Sequence, residues 1–172
     1  MATRLKTRRK RGERMDETEA RDVANAALAG LTADVAEGLR LDDEGVCRLV
    51  FDGTSVYVVL DIASTDLVVW APAGVLPAEG QAEILRQLMQ ANLFWGGTHG
   101  GTLSLAPDGE TVILARRVPL HGLQASELSF AVEQTLDDAT TFNKALAFSG
   151  ALPTPAAQEA GGSPAHASMI RG

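Results

Sequence analysis

Residues 84–120 read ILRQLMQANLFWGGTHGGTLSLAPDGETVILARRVPL. Three patterns follow one another there. Ile84, Leu85, Leu88, Met89 and Leu93 recur at helical spacing and would line one face. The spacing predicts a helix over Pro77–Phe94, with Pro77 in the first turn and Gly96-Gly97 as the stop. Leu103 and Leu105 then alternate with Thr102 and Ser104, and Val112 and Leu114 follow Thr111 in the same way. Period-two alternation predicts half-buried strands over Thr102–Ala106 and Thr111–Val118. Pro107-Asp108-Gly109-Glu110 between them has turn chemistry, because glycine accepts a positive φ at little cost.

Outward from this stretch, Leu128, Val132, Leu136, Ala139 and Leu146 mark one side of a last helix over Ser126–Phe148, with Phe142 close to that side. Upstream, Val46–Phe51 and Ser55–Ile62 flank Asp52-Gly53-Thr54, a second hairpin signal. A third run, Leu67–Ala71, is expected to end at Pro72, which has no N–H for a ladder. A first helix is expected over Thr18–Arg40, its stripe being Val23, Ala27, Leu28, Leu31, Val35 and Leu39. Asp16, Glu17, Glu19 and Asp22 crowd its start, where the helix dipole favours negative charge, and Gly38 weakens its last turn. The fold class is therefore α+β: one twisted antiparallel sheet with helices packed on it, in the order α-β-β-β-α-β-β-α. The folded domain is expected over residues 16–148. A basic disordered tail is expected over 1–15, and a flexible Ala/Pro/Gly-rich tail over 149–172.

The chain has 172 residues, one domain's worth, and a net charge of -7. That charge is unevenly placed. Residues 1–14 hold seven basic residues (Arg4, Lys6, Arg8, Arg9, Lys10, Arg11, Arg14) and one acid, Glu13. The remainder carries eight basic and 21 acidic residues, a net of -13. So acidic a body repels phosphate, which excludes nucleic acid as a partner. No apolar run approaches the ~20 residues of a membrane helix, and no apolar segment follows the basic start as in a secretory signal. Cys47 is a single cysteine, unable to form an internal disulfide, and a reducing cytoplasm suits it.

A search for catalytic or metal chemistry yields no constellation. Gly96–Gly101 follows a helix and enters a strand, whereas a phosphate cradle must lead into a helix N-terminus. His99, His121 and His166 share no metal-like spacing with other ligands. Asp42-Asp43-Glu44 lacks the alternation of a calcium loop and reads as a solvated turn. Cys47 reads as a small buried hydrophobe. Arg116-Arg117 lies on a strand, where alternation sends one side chain to solvent and lets the other pair inside. Trp70 closes the third strand. Leu93-Phe94-Trp95, beside four glycines, is either core or a protein interface, where Trp and Phe are enriched.

The ordered set of these features resembles the Tir-chaperone family, the class I chaperones of bacterial type III secretion. The matching positions are a leucine-rich helix ending in Leu88, Ala91, Asn92 and Leu93, and a link with Gly96, Gly97, Gly100 and Gly101. There follow a strand with Leu103 and Leu105, the Asp108-Gly109 turn, and a strand with Val112, Leu114, Arg116 and Arg117. The Phe51-Asp52-Gly53 hairpin and the Leu123–Leu146 helix extend the resemblance over residues 16–148. The basic N-terminal extension and the long Ala/Pro tail depart from it. The family often has Trp in the last helix, near where Phe142 stands.

The resemblance implies a cytoplasmic, acidic homodimer without enzymatic activity or cofactor. Such a chaperone holds the N-terminal region of one or a few secreted effectors extended and soluble, and delivers it to the secretion apparatus, whose ATPase is a further partner. It does not insert into membranes. An effector segment would place apolar side chains in grooves and add a strand to an open sheet edge. Expected groove residues are Leu28, Leu31, Val35, Val50, Val58 and Leu60, the alternative for each being burial in the core. Expected dimer residues are Leu85, Leu88, Met89, Leu93, Trp95 and Val112. Two other classes stand beside this reading. One is a small-molecule enzyme, which needs a polar pocket with perturbed groups. The other is a chaperone-like binding module that acts as a regulator or adaptor outside effector secretion.

Overall fold

The computed structural model describes residues 15–31 and 38–148. Both expected tails and Val35 lie outside the described residues, except Met15, which packs half-buried against the core. Three helices and five strands follow the expected order. They are α1 (Glu17–Gly30), β1 (Val46–Phe51), β2 (Thr54–Asp61), β3 (Asp66–Val75), α2 (Gln81–Ala91), β4 (Thr102–Leu105), β5 (Thr111–Pro119) and α3 (Ala125–Ala147). A single 3-10 turn, Leu93–Trp95, extends α2.

The strands form one antiparallel sheet in the order β1-β2-β3-β5-β4, which leaves β1 and β4 as its edges. Alternation decides the faces. Leu49, Val56, Val58, Leu67, Val69, Val112 and Leu114 point inward and are buried. α3 crosses this face over β3 and β5, and α1 packs beside α3. Leu128, Val132, Ala139, Phe142 and Leu146 of α3 meet Ala20, Ala24, Ala27 and Leu28 of α1 in one core. The small alanine stripe of α1 allows close approach. A Cβ on Gly30 would stand 2.5 Å from the Ala125 Cβ, so the end of α1 meets the start of α3 where only glycine fits. On the opposite face of the sheet Tyr57 and Trp70 are cross-strand partners, stacked with ring centroids 4.2 Å apart.

Three element boundaries differ from expectation by four residues or more. α1 stops at Gly30 rather than reaching Arg40, and residues 38–40 are not helical. Leu39 and Leu41 keep the apolar pattern because the returning segment packs on the core, with the Leu41 N–H donating to Asn25 Oδ1 at 2.8 Å. α2 begins after Gly80, so Pro77 precedes the helix instead of opening it. β3 does not end at Pro72 but runs to Val75, with a register shift between Pro72 and Gly74. The reason is that β2 pairs with β3 only up to Tyr57–Trp70. Beyond Trp70 one side of β3 is open, and a residue without N–H is tolerated there.

Candidate functional site

The two sheet edges are built differently. At β4 the side chain of Asn92, just past α2, substitutes for a neighbouring strand. Its Nδ2 donates to the Leu103 carbonyl at 3.0 Å, and its Oδ1 accepts from the Leu103 N–H at 2.8 Å. That amide occupies the outward ladder position of β4, so the edge is closed there. At β1 the outward groups of Val46 are taken by the preceding turn. Asp42 Oδ1 accepts from Val46 N–H at 2.8 Å, and Val46 C=O accepts from Asp42 N–H at 2.8 Å. Antiparallel ladders alternate, so Arg48 and Val50 also turn their N–H and C=O groups away from β2. Among the described residues nothing pairs with these groups, and the two residues form the open stretch of the β1 edge.

An exposed apolar surface lies on the closed-edge side. α2 buries Leu88 and Ala91, and its main neighbours are β4 and the 3-10 turn. Met89 is 74% exposed, Leu93 60%, Phe94 86% and Trp95 57%, and Leu105 is exposed beside them on β4. A groove between α2 and β4, lined by Leu85, Leu88, Met89, Leu103 and Leu105, runs along this surface. Phe94 (φ 52°) and Trp95 (φ 55°) have left-handed backbone, as does His99 (φ 46°). For non-glycine residues such conformations cost of order 1–3 kcal/mol each.

What holds this loop is a polar cluster beneath it. Arg116 and Asp138 pair at 2.6 Å with side chains only 9% and 11% exposed. Arg116 Nε donates to Thr135 Oγ1 at 2.9 Å, and Nη1 donates to the His99 carbonyl at 3.0 Å. The other carboxylate oxygen of Asp138 meets His99 Nδ1 at 2.8 Å. Buried Thr98 donates from Oγ1 to the Gly101 carbonyl at 2.6 Å. Gly97 and Gly101 lie close against Ala91 and Leu114, where a Cβ would be 3.0 and 2.9 Å from their atoms. Arg117 takes the solvent side of the alternation and reaches Asp61 at 3.0 Å and Asp66 at 3.1 Å. The Ser64 hydroxyl and then Arg117 hold the Asp61 carboxyl below its ordinary range. Burial, and then the charge of Asp42, push the Cys47 thiol up, which keeps it a neutral packing group.

The expected site residues divide. Met89, Leu93 and Trp95 are exposed together, and Leu85 and Leu88 line the adjoining groove. Val112 is fully buried beneath the sheet and offers no surface. Of the expected groove residues, Val50 is 60% exposed at the open edge, while Leu31 and Leu60 are half-buried. Leu28 and Val58 are completely buried core residues in this conformation. Sequence reasoning left Phe94 between core and interface, and it did not place Leu105 on the exposed surface or Asn92 on the edge. One signal pointed to Asp138: an acid in helical register with Thr135, Ala139 and Phe142 needs an interior partner. Among the described residues no group of three or more His, Cys, Asp or Glu could hold a metal ion. No described helix is long and apolar enough to cross a membrane.

Charge is polarised along with geometry. Residues 16–66, which carry α1 and the open edge, hold 12 acids and three basic residues. Residues 84–107, which carry the apolar surface and β4, form the longest stretch of the chain without an acid.

The fold is shared with chains of several solved complexes. The ExsC–ExsE complex contains a chain 24% identical to this one, with a TM-score of 0.63, covering 73% of this chain and 95% of that one. The HopA1–SchA chaperone–effector complex gives 16% identity, a TM-score of 0.59, and 71% and 94% coverage. The Yersinia pestis type III secretion chaperone SycH, solved with a stable fragment of YscM2, gives 18% identity, a TM-score of 0.56, and 69% and 98% coverage. No curated protein matches the chain by sequence. The model of the Tir chaperone protein (CesT) family matches residues 27–143, more than half of the sequence, and the chain belongs to that family.

Proposed function

We propose that this protein is a cytoplasmic type III secretion chaperone that binds the N-terminal region of one or a few effectors and holds it extended and soluble for delivery. It acts by binding, not by catalysis. The observation that carries the reading is the asymmetry of the sheet: one edge is closed by Asn92, and the other is open at Arg48 and Val50. An extended effector segment adds to β1, gains main-chain hydrogen bonds there, and lays an apolar side chain against the exposed Val50. The acidic half of the chain attracts a basic segment and raises its on-rate. Family membership and the effector-bound structure of similar fold support this.

The functional unit is a homodimer formed by α2, the 3-10 turn and β4. The groove beside Leu88 and the projecting Phe94 and Leu93 give this one face both a hollow and knobs, as a two-fold interface requires. The absence of acids over residues 84–107 removes the like-charge repulsion that two such bodies would otherwise meet. Each large apolar side chain fully covered contributes about 1.5–3 kcal/mol. Association costs about 4–15 kcal/mol, so several must be covered together rather than one anchor alone.

The test uses proline at the open edge, where a missing N–H costs the fold little. V50P is expected to remain folded and dimeric by sedimentation. It should lose co-purification with the N-terminal segment of a secreted effector encoded beside this chain. Equal capture of that segment by V50P and the unsubstituted chain overturns the edge reading. M89D is expected to yield monomers, and a dimer of unchanged stability refutes the α2 interface.

A further inference from the structure

We propose that Arg116 and Asp138 are positioning residues: they lock the loop 96–101 and thereby preset Phe94 and Trp95 in the conformation in which a second copy meets them. This deepens the dimer reading above and rests on it. The two aromatic residues have left-handed backbone, yet they are mostly exposed, so their own burial in one copy does not repay the strain. The restraint comes from outside the turn. Trp95 C=O accepts from the buried Thr98 N–H at 3.2 Å. The next residue, His99, is gripped twice: at its carbonyl by Arg116 and at its ring by Asp138. Both grips originate on β5 and α3, the most buried part of the fold, so the loop is referred to the core and not to α2. An exposed apolar pair held in this way loses little conformational freedom on docking, which is how preorganisation strengthens an interface. A cluster that served only to satisfy a buried arginine would leave the mobility of Trp95 unaffected.

The experiment separates the two roles. The chain has two tryptophans, so W70F leaves Trp95 as the sole reporter. In that background D138A is expected to stay folded by circular dichroism. Acrylamide quenching of Trp95, measured at a dilution where the chain is monomeric, should rise clearly. The dimer dissociation constant should rise about tenfold or more, the usual size of a lost preorganising contact. D138N, which keeps an acceptor for Arg116 and a donor for the His99 ring, should restore both readings toward the parent. In an F94A/W95A background D138A should no longer change association, because the two act as one unit. A folded D138A with parental Trp95 quenching overturns the proposal. Should D138A not fold, H99N carries the same comparison, since it removes the ring contact and leaves the Arg116–Asp138 pair in place. A parent chain that stays monomeric at every concentration refutes the dimer reading by itself, and the monomer quenching still decides whether the clamp exists.

Discussion

Replacing Asn92 by alanine tests how the β4 edge is closed. The side chain makes two hydrogen bonds to one residue, 3.0 Å to the Leu103 carbonyl and 2.8 Å from the Leu103 N–H. Leu103 is 6% exposed, and α2 lies over it, so water does not replace both partners freely. A buried polar group left without its partner costs about 1–3 kcal/mol, and two such groups set the loss at about 2–4 kcal/mol after partial rehydration. For a domain of this size that is a fall in Tm of about 10 °C. Calorimetry reads the stability, and amide hydrogen exchange at Leu103 reads the edge locally. N92A should lower Tm by that amount and expose the Leu103 amide to fast exchange. N92D makes a sharper comparison: its ionised carboxylate still accepts from Leu103 N–H but faces the carbonyl with a second acceptor, so it should be no better than N92A near neutral pH. A Tm for N92A within about 2 °C of the parent, with slow exchange retained at Leu103, would refute the argument, because ordinary surface substitutions stay within that range.

Further outcomes follow from other contacts. G30A forces a Cβ to within 2.5 Å of Ala125 Cβ, and overpacking of about 1–3 kcal/mol should outweigh the gain in helix propensity; a lower urea midpoint checks it, and an unchanged one means the helices separate freely. Asp61 is held below its ordinary carboxylate range by Ser64 and Arg117, so its contribution is present above the unfolded value near 4 and is lost as pH falls through the folded value. D61N should therefore flatten the acid limb of stability below about pH 5, and a limb of parental slope counts against the Asp61–Arg117 contact. Cys47 is buried and its thiol is pushed up by burial, so iodoacetamide should label it only after unfolding, and fast labelling of native protein would contradict its placement.

The order of elements was legible because each signal is local. The Asp-Gly turns, the period-two runs around Leu103 and Val112, and the helical stripes of α2 and α3 sit within a few residues of one another. Boundaries were less legible, because tertiary contacts set them. Leu39 continues the α1 stripe in sequence but packs from a returning segment, and Pro72 is tolerated only because β2 has stopped pairing with β3 by that point. The division of apolar residues into core and surface was least legible. Periodicity marks an apolar face without saying what covers it. Val58 and Leu28 are therefore buried in the core, while Leu93 and Phe94, equally apolar, stay mostly exposed. The left-handed loop depends on Arg116 and Asp138, 22 residues apart on different elements, and no local pattern encodes that pairing.

An open sheet edge invites pairing with any extended chain, including another copy, and proteins commonly guard such edges with cover or charge. The two edges here use one device each. β4 is covered by Asn92 and α2, within a stretch that carries no acid to guard it. β1 is uncovered at Arg48 and Val50, and it stands between the Asp42-Asp43-Glu44 turn and Asp52. Two β1 edges approaching each other bring those acids together, and directly opposed like charges disfavour the pairing. A segment of opposite charge meets no such barrier. On the proposed reading, the acidic half of the chain reserves the free edge for a partner that is not another copy. In the proposed dimer the second copy meets the opposite side of the sheet, so that dimerisation and strand addition would not compete for one surface.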